Sequence, residues 1–578
     1  MMLTPRSRRA RLAGLSTLAL LAAGLGLWFV ESLPDPVTRA SQGAAHSSPG
    51  QTSMSHPDHG PPEGLLTVAE RTAFRRTARH QDVITLVAAL AGLDERATTV
   101  PLGQSGEARP LPLLVLADPP VHTPEQARAQ GKALVFVFAN IHAGEVCGKE
   151  AVLMLAREWL LEASGETLAG LLDELVVVFA PIYNADGNDA MAPDNRPGQI
   201  GPEVMGTRGN ARGRDLNRDY IKAEERETQA MLRFLDAWDP HLIVDLHTTN
   251  GSLHRYDLTY APPLNPEGPA APLELVRDRL LPDVRRSLAE RTGRETFLYG
   301  NFDADRTRWS TYSSHPRFGA QYHGLRGHAS VLSEAYSYID FEQRVLVTRE
   351  FVREICHWAA AHADALREAV ARGKAQVREA VAQAAPLGLR HERRAADEPA
   401  TILSWSARLT EHGAPEDRGE PVDLQVLHED HFEAVLSVPR PAGYVLPAEC
   451  APVVDVLRRH GIAVHTVGDS AAGAAGSWPR EVSVERWTIQ AIARADEAFQ
   501  GHRLTSVEAE RAEVEVDVAS DAFVVPLDQD LGTLAAWLLE PLSEDGLVTW
   551  QVFDPWLAEG AAFPALRVTN RSSGLLRR

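Results

Sequence analysis

The chain has 578 residues, 44% apolar and 24% charged, the composition of a folded protein too long for a single core. A formal net charge of −20 argues against nucleic-acid binding, which needs a basic surface. Three cysteines exclude a disulfide scaffold and allow one bridge at most.

The first 40 residues read as a targeting segment. Arg6, Arg8, Arg9 and Arg11 precede the uncharged stretch Leu12–Val30. That run suits either a signal peptide, cut near Ala22-Ala-Gly24, or an uncleaved anchor that tethers the protein to a membrane. In both cases the remainder is exported, to a periplasmic, extracellular or outward-facing anchored position. Ser7–Leu12 carries a hint of twin-arginine export, and no cysteine flanks the apolar run to take a lipid. Residues 41–63 are rich in Ser, Gly, Pro and His without periodicity and read as a flexible linker, in which His46, His56 and His59 are ordinary polar residues.

Residues 64–385 read as one α/β domain. Thr67–Leu90 has a helical pattern, followed by strands at 98–102 and 111–117. Short apolar runs recur at Ala133–Ala139, Leu175–Ala180, Leu242–Leu246 and Ala329–Leu332, with helical stretches at 145–161, 223–238 and 272–292 between them. Strands apolar on both faces and alternating with helices predict a mixed, mostly parallel central sheet with helices on both faces. A helix-rich stretch at 349–385 breaks at Gly373, and Pro386, Gly388 and Ala395–Pro399 mark a boundary. Residues 398–578 then read as a β-rich C-terminal domain: Glu513–Val518 alternates strictly, and 403–409, 422–427, 482–492 and 548–553 are further strand candidates. A helix at 452–460 stops at Gly461. No internal repeat is present.

The chemistry is concentrated in the first of these regions. His142-Ala-Gly-Glu145 follows the run ending at Ala139, and His247 ends the run 242–247. Open α/β sheets build sites at the carboxyl ends of their strands, and residues three apart at a helix start share a face. Two imidazoles and one carboxylate hold a zinc ion with one position left for water, a set suited to hydrolysis. Arg208–Arg218 is dense in guanidinium groups within a Gly/Asn loop, where Arg218 suits a bidentate clamp on a carboxylate. Glu334 ends another apolar run, and Asp215 suits the outer nitrogen of a ligating histidine.

These pieces resemble the zinc carboxypeptidase family, which includes carboxypeptidases A, B and E. The matching residues are His142-x-x-Glu145, Pro181-Ile-Tyr-Asn-Ala-Asp-Gly187, Arg208-x-Asn-x-x-Gly-x-Asp-Leu-Asn-Arg218, His247 and Glu334, in the family's order, with Gly103–Pro110 resembling its early strand entry. The resemblance covers about residues 65–370. It implies the family's α/β/α fold, one zinc ion per chain held by His142, Glu145 and His247, and Glu334 as general base and acid. It also implies Arg208 as the oxyanion's cation, Asn217 with Arg218 as the clamp on a peptide's free C-terminal carboxylate, and Tyr312, preferred over Tyr322, as the mobile tyrosine. Ala143-Gly144 stands where some members carry an arginine, which removes one outer substrate contact.

Two other readings fit parts of the pattern. Aspartoacylase-like and succinylglutamate desuccinylase-like zinc amidohydrolases share the His-x-x-Glu, Asp-Leu-Asn-Arg and Asp-Leu-His pieces and cleave N-acyl amino acids. A non-catalytic peptide- or carbohydrate-binding module is the other, against which Glu334 argues. Cys147 reads as an inert buried thiol, His428-Glu-Asp-His431 as a polar turn, and Gly468–Gly476 as a surface loop lacking the Lys-Ser/Thr of a phosphate loop.

Overall fold

A computed structural model describes residues 61–569, apart from 163, 411–412 and 469–480. The targeting segment, most of the linker and most of the Gly468–Gly476 loop lie outside the described residues. Residues Pro61–Arg578 form one compact unit. Among the described residues no helix is long and apolar enough to cross a membrane.

The first strands are β1 (Ala97–Gln104), β2 (Pro110–Leu116), β3 (Ala133–Ala139), β4 (Leu175–Ala180), β5 (Leu242–Thr249), β6 (Leu258–Ala261) and β7 (Thr296–Leu298). After them come β8 (Asn301–Phe302), β9 (Arg308–Ser310) and β10 (Ala329–Tyr336). An eight-stranded sheet runs in the order β1-β2-β4-β3-β5-β10-β6-β7. Its centre, β4-β3-β5-β10, is parallel, and β1, β2 and β6 join antiparallel. Every residue of β3, β4 and β5 is buried, as expected of strands covered on both faces. Helices His80–Ala91 and Arg226–Trp238 lie against β1, and Cys147–Leu161 and Phe341–Ala361 against β3. Truncating a core side chain such as Phe136 to alanine costs about 3–5 kcal/mol, so this slab is a stiff platform for whatever its edge carries.

Three helical expectations change. Thr67–Leu90 is two helices, Val68–Arg71 and His80–Ala91, because Ala73 and Phe74 take left-handed φ of 48° and 56° between them. The break in the 341–382 pair falls at His362, not Gly373. Gly373 sits inside its helix because a Cβ there would stand 3.0 Å from Pro272 Cδ, so its small size serves packing. The 272–292 helix contains a π-turn at Val276–Leu280.

Most of the boundary expected near 385–398 is instead strand β11 (Pro386–Ala395), followed by β12 (Ala400–Trp405) and β13 (Pro421–Pro439). β13 pairs with β11 and β12 and, in parallel, with β9 of the α/β region, so the two regions share a sheet. The His428–His431 group lies within β13, and is a strand segment, not a turn. A six-stranded sheet follows from β14 (Gly443–Leu446), β15 (His465–Thr466), β16 (Glu481–Arg494), β17 (Thr505–Asp517), β18 (Phe523–Pro526) and β19 (Leu566–Val568). Residues 548–553 are turns: Val548, Trp550 and Phe553 are buried in the core, so their apolar run signals packing without strand pairing.

Candidate metal centre

The parallel strands β3, β5 and β10 end on one edge of the sheet, and each delivers a predicted residue there. Past Ala139, Asn140 adopts a left-handed φ of 69°, a conformation asparagine tolerates better than most residues, and its side-chain amide donates to Ala143 O at 3.1 Å. That bend carries His142 off the strand, and the turn Glu145 N–H to His142 O (2.9 Å) brings Glu145 back beside it. His247 lies on β5, and Glu334 on β10 is its direct partner in the parallel pairing.

His142, Glu145 and His247 are all buried, and their ligand atoms lie within 4.8 Å of one another. His142 Nδ1 is 3.0 Å from Glu145 Oε1, His247 Nδ1 is 3.0 Å from Glu145 Oε2, and the two Nδ1 atoms are 3.1 Å apart. Each imidazole has a carboxylate behind it. His142 Nε2 is 3.1 Å from Asp215 Oδ1, and His247 Nε2 is 3.0 Å from Asp245 Oδ2. The hydrogen-bonded carboxylate at His142 Nε2 assigns the proton to that nitrogen and turns its Nδ1 lone pair inward, whereas at His247 the Asp245 carboxylate is near as a charge without an aligned hydrogen bond. Two inward-facing Nδ1 atoms and one carboxylate are the donor set zinc takes, so these residues fit the ion. Glu145 is further fixed by the Thr248 N–H (3.0 Å) and the Arg196 guanidinium (2.8 Å).

The charges shift the local proton equilibria. Burial alone would raise the Glu145 and Asp215 carboxyls; His142 and Arg196 in the first case, and Arg208, Arg218 and His142 in the second, pull both well below the ordinary carboxylate value. Burial opposes protonation of His247, but Asp245 and Glu145 win and raise its pKa well above the usual value. Glu334 is pushed up to about 8 by burial, with Glu145 and Asp245 adding to the effect and His247 and Arg208 opposing it. A divalent cation at the adjacent donors would favour the ionised form of Glu334.

The arginine loop reaches the same edge. Arg208 Nε donates to Asp215 Oδ2 at 2.9 Å while its side chain keeps 43% exposure, so its guanidinium is both tethered and open to a ligand. Arg218 stacks over the Phe318 ring at 4.0 Å and donates to Asn217 O at 2.8 Å; burial pulls its pKa down to about 10 against the attraction of Asp215. Asn217 Oδ1 accepts the Gly319 N–H at 2.7 Å, which leaves the amide nitrogen of its side chain as the donor. Tyr312 lies edge-on to Phe318 (5.5 Å) and Tyr299 (5.6 Å), with its hydroxyl making no hydrogen bond and its pKa raised chiefly by burial, with Glu334 adding to the effect. Tyr322 is remote from this group: its hydroxyl meets His460 Nδ1 at 2.8 Å in the core.

The remaining motifs are scaffolding. Asn184 ties the site's loops together, donating to Ile141 O (3.2 Å) and Arg208 O (3.4 Å). Asp186 receives Ser105 Oγ (2.6 Å) and Arg109 (2.5 Å), which joins the Gly103–Pro110 entry to the 181–187 motif. Gly187 admits no side chain, since a Cβ would lie 2.3 Å from Gly209 O. Cys147 is buried against Thr248 Oγ1 at 3.2 Å and burial raises its thiol, and the other two cysteines are likewise free and buried.

Two site residues have no role assigned from sequence, and Asp245 enters there only within the Asp-Leu-His piece shared with the amidohydrolases. Asp245 sits two positions before His247 on the same strand face, and its period-2 spacing was the available signal. Arg196 has no sequence signal. It crosses Gly144, where a Cβ would lie 2.6 Å from Arg196 Cγ, and so returns a cation to the surroundings of the first two ligands from a different loop.

A buried two-histidine, one-carboxylate centre with a neighbouring carboxyl and flanking arginines defines a metallohydrolase site. Residues 85–296 match the zinc carboxypeptidase (peptidase M14) family, so this part of the chain is similar to a zinc carboxypeptidase domain. Carboxypeptidase 2 of Trichophyton tonsurans is 22% identical over 461 residues, covering 76% of this chain and 77% of that protein. Carboxypeptidase D of Mus musculus is 35% identical over 147 residues, 23% of this chain and 10% of that protein. Among solved structures, a metallo-carboxypeptidase from Burkholderia cenocepacia aligns over 49% of this chain and 69% of its own, with 18% identity and a TM-score of 0.36. A metallo-carboxypeptidase from Pseudomonas aeruginosa, in complex with (2-guanidinoethylmercapto)succinic acid, aligns over 50% and 69% with 17% identity and a TM-score of 0.36.

Proposed function

We propose that this metallocarboxypeptidase removes C-terminal amino acids from peptides, with His142, Glu145 and His247 holding one zinc ion and Glu334 serving as general base. The observation that carries the reading is the meeting of these three buried donors, each imidazole backed by a carboxylate, beside a fourth carboxyl in register with His247. When bound, zinc supplies Lewis acidity and lowers the pKa of water to about 7.

The chain's own groups do the rest. Asn217 and Arg218 take the substrate's terminal carboxylate, the arginine as a bidentate donor steadied by Phe318. That anchoring orients the last peptide bond toward Glu334 and spends remote binding energy on position. Glu334 accepts a proton from the attacking water and returns it to the leaving amine. Arg208, tethered by Asp215 yet partly open, sets a fixed positive charge for the oxygen that becomes negative. Tyr312 borders the clamp through Phe318 and lends its hydroxyl to the bound peptide.

The test compares a peptide with a free carboxyl end, the same peptide amidated, and an N-acyl amino acid. The first should be cleaved and the amidated form should lose most of its kcat/KM, because Arg218 has lost its anion. Preferential turnover of the N-acyl amino acid would replace this reading with the amidohydrolase one. We further propose export, on the strength of Arg6–Arg11 and Leu12–Val30; cell fractionation tests it, and a purely cytoplasmic protein refutes it.

A further inference from the structure

The C-terminal β-rich region touches the catalytic loop through one tight turn. Beyond Arg494 the β16–β17 ribbon continues: Ala495 N–H bonds Leu504 O (2.9 Å), and Phe499 and His502 exchange N–H···O bonds of 2.8 and 3.0 Å. Between them Gln500 and Gly501 have φ of 51° and 90°, the two left-handed residues that a two-residue hairpin turn of this hand requires. Glycine takes that conformation freely; glutamine does so against a steric penalty, and a residue held there is held by its surroundings.

The surroundings are the arginine loop. Gln500 Oε1 accepts the Asp215 backbone N–H at 2.8 Å. A Cβ on Gly501 would lie 2.5 Å from Arg214 Nη2, so the turn seats flush on that guanidinium. His502 Nε2 is 3.0 Å from both oxygens of the Glu224 carboxylate. Phe499 and Trp550 flank the buried Arg317, which is ion-paired with Asp545 at 2.8 Å, one residue before the Phe318 that carries Arg218.

Asp215 is the hub of the site. Its side chain faces His142 Nε2 and Arg208 Nε, accepts the Asn217 N–H at 2.9 Å, and stands 3.9 Å from Arg218. Its own backbone N–H is anchored from 285 residues away in sequence. We infer that the Phe499–His502 turn belongs to the catalytic apparatus, with Gln500 a positioning residue that fixes Asp215, and through it the orientation of His142, Arg208 and Arg218. The C-terminal region therefore completes the site. This inference rests on the zinc peptidase function proposed above.

The test uses the full chain with Gln500→Met, which keeps the shape and removes the strong acceptor, and Gln500→Glu, which keeps an acceptor oxygen. Zinc dissociation constants are measured by chelator competition, alongside kcat and KM on a peptide with a free carboxyl end and thermal unfolding. Gln500→Met should weaken zinc about tenfold, at the low end for groups that orient a metal ligand, and should raise KM through Arg218, while Gln500→Glu recovers most of both. A parent that binds zinc and cleaves, with Gln500→Met matching it in zinc affinity and in activity per folded molecule, overturns the inference and leaves the function standing. A change in melting temperature alone, with both readouts unmoved, also overturns it. A parent that neither binds zinc nor cleaves overturns the function and the inference together.

Discussion

Asp215→Asn is the most informative single perturbation because the change is isosteric and the structure fixes what each oxygen does. Oδ1 faces His142 Nε2 (3.1 Å) and accepts the Asn217 N–H, while Oδ2 accepts the Arg208 Nε–H at 2.9 Å. An amide oxygen at the Oδ1 position keeps the histidine proton on Nε2 but sets an NH2 group against the Arg208 donor. The flipped amide satisfies Arg208 but sets NH2 against Nε2, which drives the proton to Nδ1 and removes a metal lone pair. Neither orientation serves both neighbours. Losing such a partner costs about 10- to 100-fold in metal affinity, or about 1.4–2.7 kcal/mol. Arg208 is 43% exposed and can turn to water, so stability should fall less than when a fully buried pair is broken. The assay is chelator competition for zinc, with kcat/KM on a peptide and a melting curve as the folding control. Parent-like zinc affinity and parent-like kcat/KM in a folded Asp215→Asn protein would refute the role given to the Asp215–His142 contact.

Glu334→Gln should retain zinc while kcat falls by about 10²- to 10⁴-fold, the usual contribution of a general base; a fall below threefold removes Glu334 from that role. Zinc affinity should rise with pH through neutrality: burial disfavours charge on His247, but Asp245 and Glu145 raise its pKa well above normal, so the metal-free site is protonated and binding expels that proton, giving about tenfold per pH unit. An affinity independent of pH there would contradict the assignment of His247 Nδ1 as a ligand. His391 links the two regions, its ring 2.9 Å from Glu544 and 3.6 Å from Glu267. Burial lowers its pKa, but the two carboxylates overcome this and raise it to about 9. Because the folded value exceeds the ordinary 6.5, its stabilisation is fully present below about pH 6.5 and is lost as pH rises through about 9, on the order of 3 kcal/mol. His391→Gln should flatten that alkaline loss in denaturant titrations, and an unchanged pH dependence would count against it.

Much of the site was legible because its residues sit at strand ends, where apolar runs mark position well. β3 and β4 begin and end as the sequence predicts, and His142, Glu145, His247 and Glu334 follow from runs of that kind. What escaped was set by tertiary packing. Arg196 comes from a loop without periodicity, and Gly373 breaks no helix because its neighbours demand a small residue. The 385–398 segment carries Pro and Gly punctuation, yet most of it pairs as β11 because the long β13 offers it an edge. The Val548–Phe553 run is apolar enough for a strand but is buried as turns around Trp550. Gln500 lies 285 positions from its partner in an ordinary turn sequence, so only the folded chain reveals the contact.

The proposed activity depends first on one metal ion at His142, Glu145 and His247. Metal analysis of the purified protein, parent and His142→Ala side by side, tests this most directly. One equivalent of zinc in the parent and its loss from the folded variant is the expected result. A folded parent that takes up no zinc, or a His142→Ala protein that retains a full equivalent, would contradict it.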